Sequence, residues 1–147
     1  MAQILISGKD FNEIRRKIRE NKGKEIVFSS PDDELNKKIM EKENINILLP
    51  VLSGRKDKSK QRDSGFNQVL AKIAKKKNVT LGIDLDEIST SSGKEKAEIL
   101  ARVSQNIKMC NKNKVKMKFI SKGQKDQYDL KSLGLALGMP TWMAKEL

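Results

Sequence analysis

Two aspartates, Asp84 and Asp86, stand two positions apart at the end of a predicted strand, with Glu87 beside them. Alternate residues of a strand share a face, and a carboxylate pair at a strand's carboxyl end could hold Mg²⁺ for phosphodiester hydrolysis. The sequence has no histidine and no second acidic cluster to support such a site. We therefore favour the simpler interpretation, in which the aspartates end the strand, and keep a small Mg²⁺-dependent nuclease or phosphoesterase as the alternative.

The missing histidine also excludes a Ser-His-Asp triad and any histidine-based metal site. The tripeptide from Ser92 to Lys94 superficially suggests a phosphate loop, but the motif G-x-x-x-x-G-K-[ST] is absent. Nucleotide hydrolysis is therefore rejected, and no cofactor or metal is expected in the protein itself. Cys110 cannot form an intramolecular disulfide, and we expect it to be a buried helix residue.

Positive charge is the strongest chemical signal, with a net charge of +12 and a pI of about 9.8. It is concentrated after residue 54: residues 55–147 hold 21 basic and 10 acidic side chains, whereas residues 1–54 hold 10 and 9. This asymmetry indicates a face for nucleic acid, and the low aromatic content of 4% favours phosphate contacts over base stacking. The predicted RNA-binding residues lie in or beside polar loops: Arg55, Lys56, Lys58, Lys60, Arg62, Lys94, Lys122 and Lys125.

The elements that must position these side chains follow a βα repeat within one domain of 147 residues. Strands are predicted at residues 2–6, 25–28, 45–49, 79–85 and 115–120. Such a repeat predicts a parallel sheet whose loops gather at the carboxyl ends of the strands. Both a doubly wound open sheet and a segment of a β/α barrel remain possible, and pattern alone favours the open sheet, because a complete barrel needs about 250 residues.

The helix signals are more detailed. We expect Ser30 to cap the second helix, and residues 66–77 to form a helix that stops at Asn78. That helix should bury Phe66, Val69, Leu70 and Ile73 and expose Lys72, Lys75 and Lys76. Residues 86–93 are predicted to be a loop, and residues 94–110 a helix.

The run from Arg55 to Leu85 resembles the archaeal and eukaryotic RNase P protein component 3 family, most specifically in GFNQVLAK, Gly65 to Lys72. The resemblance continues through Lys94 to Ser121 and Tyr128 to Met139 and is weaker before Ile45. Gln68 stands where the family commonly has histidine. The resemblance places the start of the chain at the family's third strand, so we expect a shortened barrel.

The resemblance implies an α/β fold of about five parallel strands with covering helices, a shortened TIM-like barrel related to the polymerase and histidinol phosphatase (PHP) group without its metal ligands. It implies a subunit of RNase P, which removes 5′ leaders from precursor tRNA, with the RNA as the catalyst and Mg²⁺ bound to that RNA. Expected partners are the RNase P RNA, precursor tRNA, protein component 2 and other RNase P proteins. A pure assembly protein that docks an acidic protein is the third candidate.

The sequence also predicts a cytoplasmic protein. It has no signal peptide, no apolar run long enough for a membrane span, and one cysteine, as suits a reducing compartment.

Overall fold

The computed structural model of this chain describes residues 2–57, 63–123 and 125–147. Within these ranges five parallel strands form one sheet in the order 1-2-3-4-5. In a doubly wound sheet the chain starts at an inner strand and adds strands toward one edge and then toward the other. In a β/α barrel each strand pairs with the next one in the sequence, as it does here. The chain is therefore an α/β fold built as a shortened β/α barrel, and the open doubly wound sheet is wrong. The strands are β1 (Gln3–Ser7), β2 (Glu25–Ser29), β3 (Ile47–Leu48), β4 (Thr80–Asp84) and β5 (Met117–Ile120).

The described residues also form seven helices. The longest follows β4 after a short helix of six residues, and two shorter helices close the chain. The helices are α1 (Phe11–Glu20), α2 (Asp33–Lys42), α3 (Gln68–Lys77), α4 (Leu85–Thr90), α5 (Gly93–Asn113), α6 (Gln127–Ala136) and α7 (Thr141–Lys145). No helix in the described part of the chain is both long and apolar enough to cross a membrane.

The two faces of the sheet have different cores. Phe28, Leu48 and Leu81 lie in register on one face and share a single apolar cluster with the helices. Val27 and Ile47 lie in register on the other face, in a small separate cluster. Among the described residues this second cluster contains no helix residue, and we call its side of the sheet the inner face.

Close packing on this inner face depends on Gly82 of β4. A Cβ atom at Gly82 would lie 2.9 Å from Leu49 Cδ1, 3.0 Å from Ile47 Cγ2 and 3.2 Å from Ile120 Cγ1. Glycine therefore lets three neighbouring side chains meet across the concave face of the sheet.

Two helix starts differ from the prediction. Asp32 caps α2 in place of Ser30, because its carboxylate accepts from the N–H groups of Glu34 and Leu35. The helix α3 begins at Gln68, two residues after the predicted start, and its N-cap is Asn67. Val69 is 54% exposed, so its predicted burial was wrong. Asn78 ends the helix as predicted, in the left-handed conformation at φ 57°.

The region after β4 differs more. Residues 85–90 form α4 instead of a loop, and Asp84 is its N-cap. Asp86 therefore lies in the first turn of a helix, so the two aspartates do not share a strand face. The next helix, α5, reaches Asn113, three residues past the predicted end. Cys110 is buried in it as expected, and burial raises the pKa of its thiol.

Candidate nucleic-acid interface

The rim of the sheet, where the strands end and the predicted RNA-binding loops begin, is organised around α4. Glu87 on this helix accepts from Leu52 N at 3.2 Å, from Ser53 N at 3.3 Å and from Ser53 Oγ at 3.0 Å. These contacts attach the loop after β3 to α4. They satisfy two backbone N–H groups that the short β3 leaves without strand partners.

Asp86 does the same for the loop after β5. One carboxylate oxygen accepts from Ser121 Oγ at 3.2 Å and the other accepts from Lys122 N at 3.0 Å. Asp84 caps the helix itself by accepting from the N–H groups of Asp86 and Glu87. The three carboxylates of this segment thus brace two loops and a helix start.

These contacts bear on the metal hypothesis. The sequence makes Asp84 and Asp86 a possible Mg²⁺ pair. In the structure, both carboxylate oxygens of Asp86 accept hydrogen bonds from the loop after β5. In the described ranges, no group of three or more His, Cys, Asp or Glu side chains is arranged to hold a metal ion. The geometry at α4 supports bracing of the rim.

Arg55, a predicted RNA-binding residue, turns inward. Its side chain is 9% exposed, and its guanidinium donates to both oxygens of Asp33 at 2.9 Å. It also donates to Asp63 at 3.4 Å and to the carbonyl of Val51. Burial disfavours the charged form, but the bonds and charges of Asp33 and Asp63 outweigh it, so the pKa of Arg55 is raised. The geometry gives this side chain an organising role in the loop.

Arg102 of α5 holds the same loop from beneath and was missed by sequence reasoning. Its side chain is 2% exposed and donates to Leu52 O at 3.1 Å, to Arg55 O at 2.9 Å and to Asp57 Oδ1 at 3.0 Å. The signal was present, because Arg102 lies three residues after Ile99 and directly before Val103 in the buried stripe of the helix. A cation there requires buried acceptors.

Four other predicted RNA-binding residues, all within the described ranges, face outward. Lys56, Lys94, Lys122 and Lys125 are exposed. Lys94 is 91% exposed and lies 4.0 Å from Glu98, one turn along α5. The structure brings Lys122 and Lys56 onto loops braced by the same helix. Three further predicted residues lie outside the described ranges: Lys58, Lys60 and Arg62.

A second group of cations lies on the outer helical layer. Lys72, Lys75 and Lys76 are exposed on α3, as predicted. Lys75 Nζ donates to the carbonyl of Lys114 at 3.2 Å, which joins the carboxyl ends of α3 and α5. These helix ends lie opposite the rim, because each helix runs antiparallel to the strands.

The fold has a close counterpart among solved structures. It matches a chain of the cryo-EM structure of archaeal ribonuclease P with mature tRNA at a TM-score of 0.78 and 23% identity. The match covers 98% of this chain and 62% of that chain, so this protein spans less than two thirds of its counterpart. A xylose isomerase domain protein from Planctomyces limnophilus matches at a TM-score of 0.49 and 8% identity, over 95% of this chain and 58% of that one. No family model matches the sequence.

Proposed function

We propose that this protein is a protein subunit of ribonuclease P, of the component 3 type, which binds and organises the catalytic RNA together with protein component 2. The observation that carries the proposal is the structural match over 98% of the chain to a chain of an RNase P–tRNA complex. The sequence resemblance from Arg55 onward and the net charge of +12 support the same function independently.

In this role the protein contributes position and charge, while the RNA cleaves the 5′ leader of precursor tRNA with its own Mg²⁺. The exposed rim lysines Lys56, Lys94, Lys122 and Lys125 would contact phosphates. We propose the same role for Lys58, Lys60 and Arg62, which are outside the described residues. Counterion release makes such contacts favourable without a fixed geometry. Glu87 and Asp86 hold two of the rim loops and so reduce the entropy lost when RNA orders them.

The sheet edges offer a place for the protein partner. In the described part of the chain β1 and β5 each pair on one side only, and Leu5 on β1 is 59% exposed. Unpaired strand edges and exposed apolar side chains favour association with another chain. We propose that component 2 covers this region in a cytoplasmic complex with the RNA and the other RNase P proteins.

Reconstitution tests the proposal. Precursor-tRNA cleavage is measured with the RNase P RNA and the remaining protein subunits, with and without this chain. We expect the chain to raise the cleavage rate, and we expect no cleavage by the chain alone in Mg²⁺. The matched control is the Asp84→Asn variant. Cleavage by the isolated chain that Asp84→Asn abolishes, or no stimulation on addition of the chain, would contradict the proposal.

A further inference from the structure

A dense group of cations on the outer helical layer lies outside the predicted rim loops. We call it the lysine surface. All of its members are exposed, and they come from α3 and from the end of α5. The lysine surface consists of Lys72, Lys75, Lys76, Lys77, Lys108, Lys112 and Lys114.

Direct contacts make these lysines one surface. The amides of Gln68 and Asn113 exchange two hydrogen bonds of 2.9 and 3.0 Å, and Lys75 Nζ reaches the carbonyl of Lys114 at 3.2 Å. Residues near the start and near the end of α3 therefore both contact the carboxyl end of α5. On α5, Lys108 and Lys112 stand four residues apart, so they share a face.

The charge of this surface is not neutralised by neighbours. α3 contains no acidic residue, and none occurs between Gln105 and Lys125. Among the described residues, the ion pairs of the structure involve none of the seven lysines. Lys114 Nζ lies instead 5.3 Å from the centre of the Trp142 ring.

The basic residues of α1 behave differently. Arg15 and Arg19 both lie within 3.3 Å of Glu43, and Lys17 lies 3.3 Å from Glu13.

Cations near the carboxyl end of a helix interact favourably with the helix dipole. That effect falls off within the last turn, however, and Lys72 and Lys108 lie before the last turns of their helices.

The chemistry of the surface identifies its ligand. Lysine ammonium groups are point charges that suit phosphate without demanding a planar, bidentate partner. Neither α3 nor α5 contains an aromatic residue, and the Trp142 ring beside the surface lies against Lys114 and donates to Asn111, so phosphate contacts are favoured over base stacking. We propose that the lysine surface binds the phosphate backbone of a structured, double-helical RNA, as a second contact separate from the rim. The choice of RNA among polyanions rests on the proposed function.

Three charge-matched variants test the proposal on the full chain. The first replaces Lys72, Lys76 and Lys112 with Gln. The control replaces three exposed cations at the β1–β2 side of the molecule: Arg16, Lys22 and Lys24. The rim variant replaces Lys94, Lys122 and Lys125. Each is titrated with a short blunt-ended RNA duplex across a salt series, after thermal melting has shown that it is folded.

We expect the lysine-surface variant to lose about tenfold or more in affinity at low salt and to lower the log-log salt slope by about two to three units. The control should lose much less. Equal losses in the lysine-surface variant and the control variant, or no binding by the wild type, would overturn the proposal. So would equally tight binding of poly-glutamate, which would assign the surface to an acidic protein.

The reconstitution assay separates this proposal from the proposed function. Wild-type stimulation of cleavage with no effect of the lysine-surface variant on duplex binding would overturn only the second RNA contact. The expected binding pattern without stimulation of cleavage would instead overturn the assignment to RNase P.

Discussion

The rim and the lysine surface are both rich in cations, but the two regions use them differently. At the rim, Arg55 and Arg102 are at most 9% exposed and hold the loop after β3 in place. On the lysine surface, Lys76 and Lys112 project from regular helices into solvent. The two rim arginines hold structure together, whereas the lysines of the lysine surface form no ion pair among the described residues and are available to a ligand.

The parallel fold explains the difference. Helix N-termini follow the strands at the rim, and four of them are capped by aspartate: Asp10, Asp32, Asp84 and Asp126. The positive end of each helix dipole favours these anions, while the opposite end favours cations. In this fold, carboxylates therefore lie beside the loops that are predicted to bind RNA. Lysines lie at the carboxyl ends of the helices, on the opposite side of the sheet.

The largest effect is expected from Arg102→Ala. It removes the donor to the carbonyls of Leu52 and Arg55 and leaves a cavity under the rim, so the free energy of unfolding should fall by about 3 kcal/mol. Denaturant unfolding measures it. Arg16→Ala, which removes an exposed arginine of α1, should change stability by less than about 0.5 kcal/mol. Similar losses for both variants would contradict the structural role of Arg102.

Gly65→Ala tests the inward position of Arg55. Gly65 has φ 72°, and a Cβ there would overlap the Arg55 guanidinium. We expect a loss of about 2 kcal/mol, since left-handed strain and displacement of the ion pair add. Gly54→Ala is the matched control, because φ is 70° at Gly54 and a Cβ would meet nothing within 4 Å. Thermal melting compares the two variants, and the difference between their Tm shifts measures the cost of the overlap with Arg55. Equal shifts would show that the Arg55 guanidinium does not lie against Gly65.

Glu87→Ala should detach the loop after β3 from α4. Three donors at Leu52 and Ser53 lose their acceptor, which should cost about 1 to 2 kcal/mol. Amide hydrogen exchange at Leu52 and Ser53 should accelerate more than exchange in α5. Glu98→Ala serves as the control, because Glu98 only pairs with the exposed Lys94 at 4.0 Å. Unchanged protection at Leu52 would refute the brace.

Much of the fold could be predicted because the period and the length of each hydrophobic segment determine whether it forms a strand or a helix. Five strands, the stop at Asn78 and the burial of Cys110 followed from local pattern. The order of the strands did not, because the same βα repeat fits a stepwise and a doubly wound sheet until pairing is seen. Only the family resemblance favoured the barrel winding.

The candidate site was harder to predict, because exposure depends on distant partners. Arg55 and Lys56 are neighbours in one polar run, yet Asp33, 22 positions away in the chain, turns the first inward and leaves the second exposed. Likewise, Asp86 reads as half of a carboxylate pair until Ser121 is brought beside it. Local composition identified a basic protein correctly but could not say which cations remain available.

The smallest effect is expected at the rim itself, from joint replacement of Lys94, Lys122 and Lys125 with Gln. These side chains are exposed, so stability should change by less than about 0.5 kcal/mol. Each is a proposed phosphate contact, but Glu98 lies 4.0 Å from Lys94, and Asp126 follows Lys125 directly. Nearby carboxylates weaken the local positive potential, so the salt slope of RNA binding should fall by only about one unit. A fall of about three units would show that the nearby carboxylates do not weaken these three phosphate contacts.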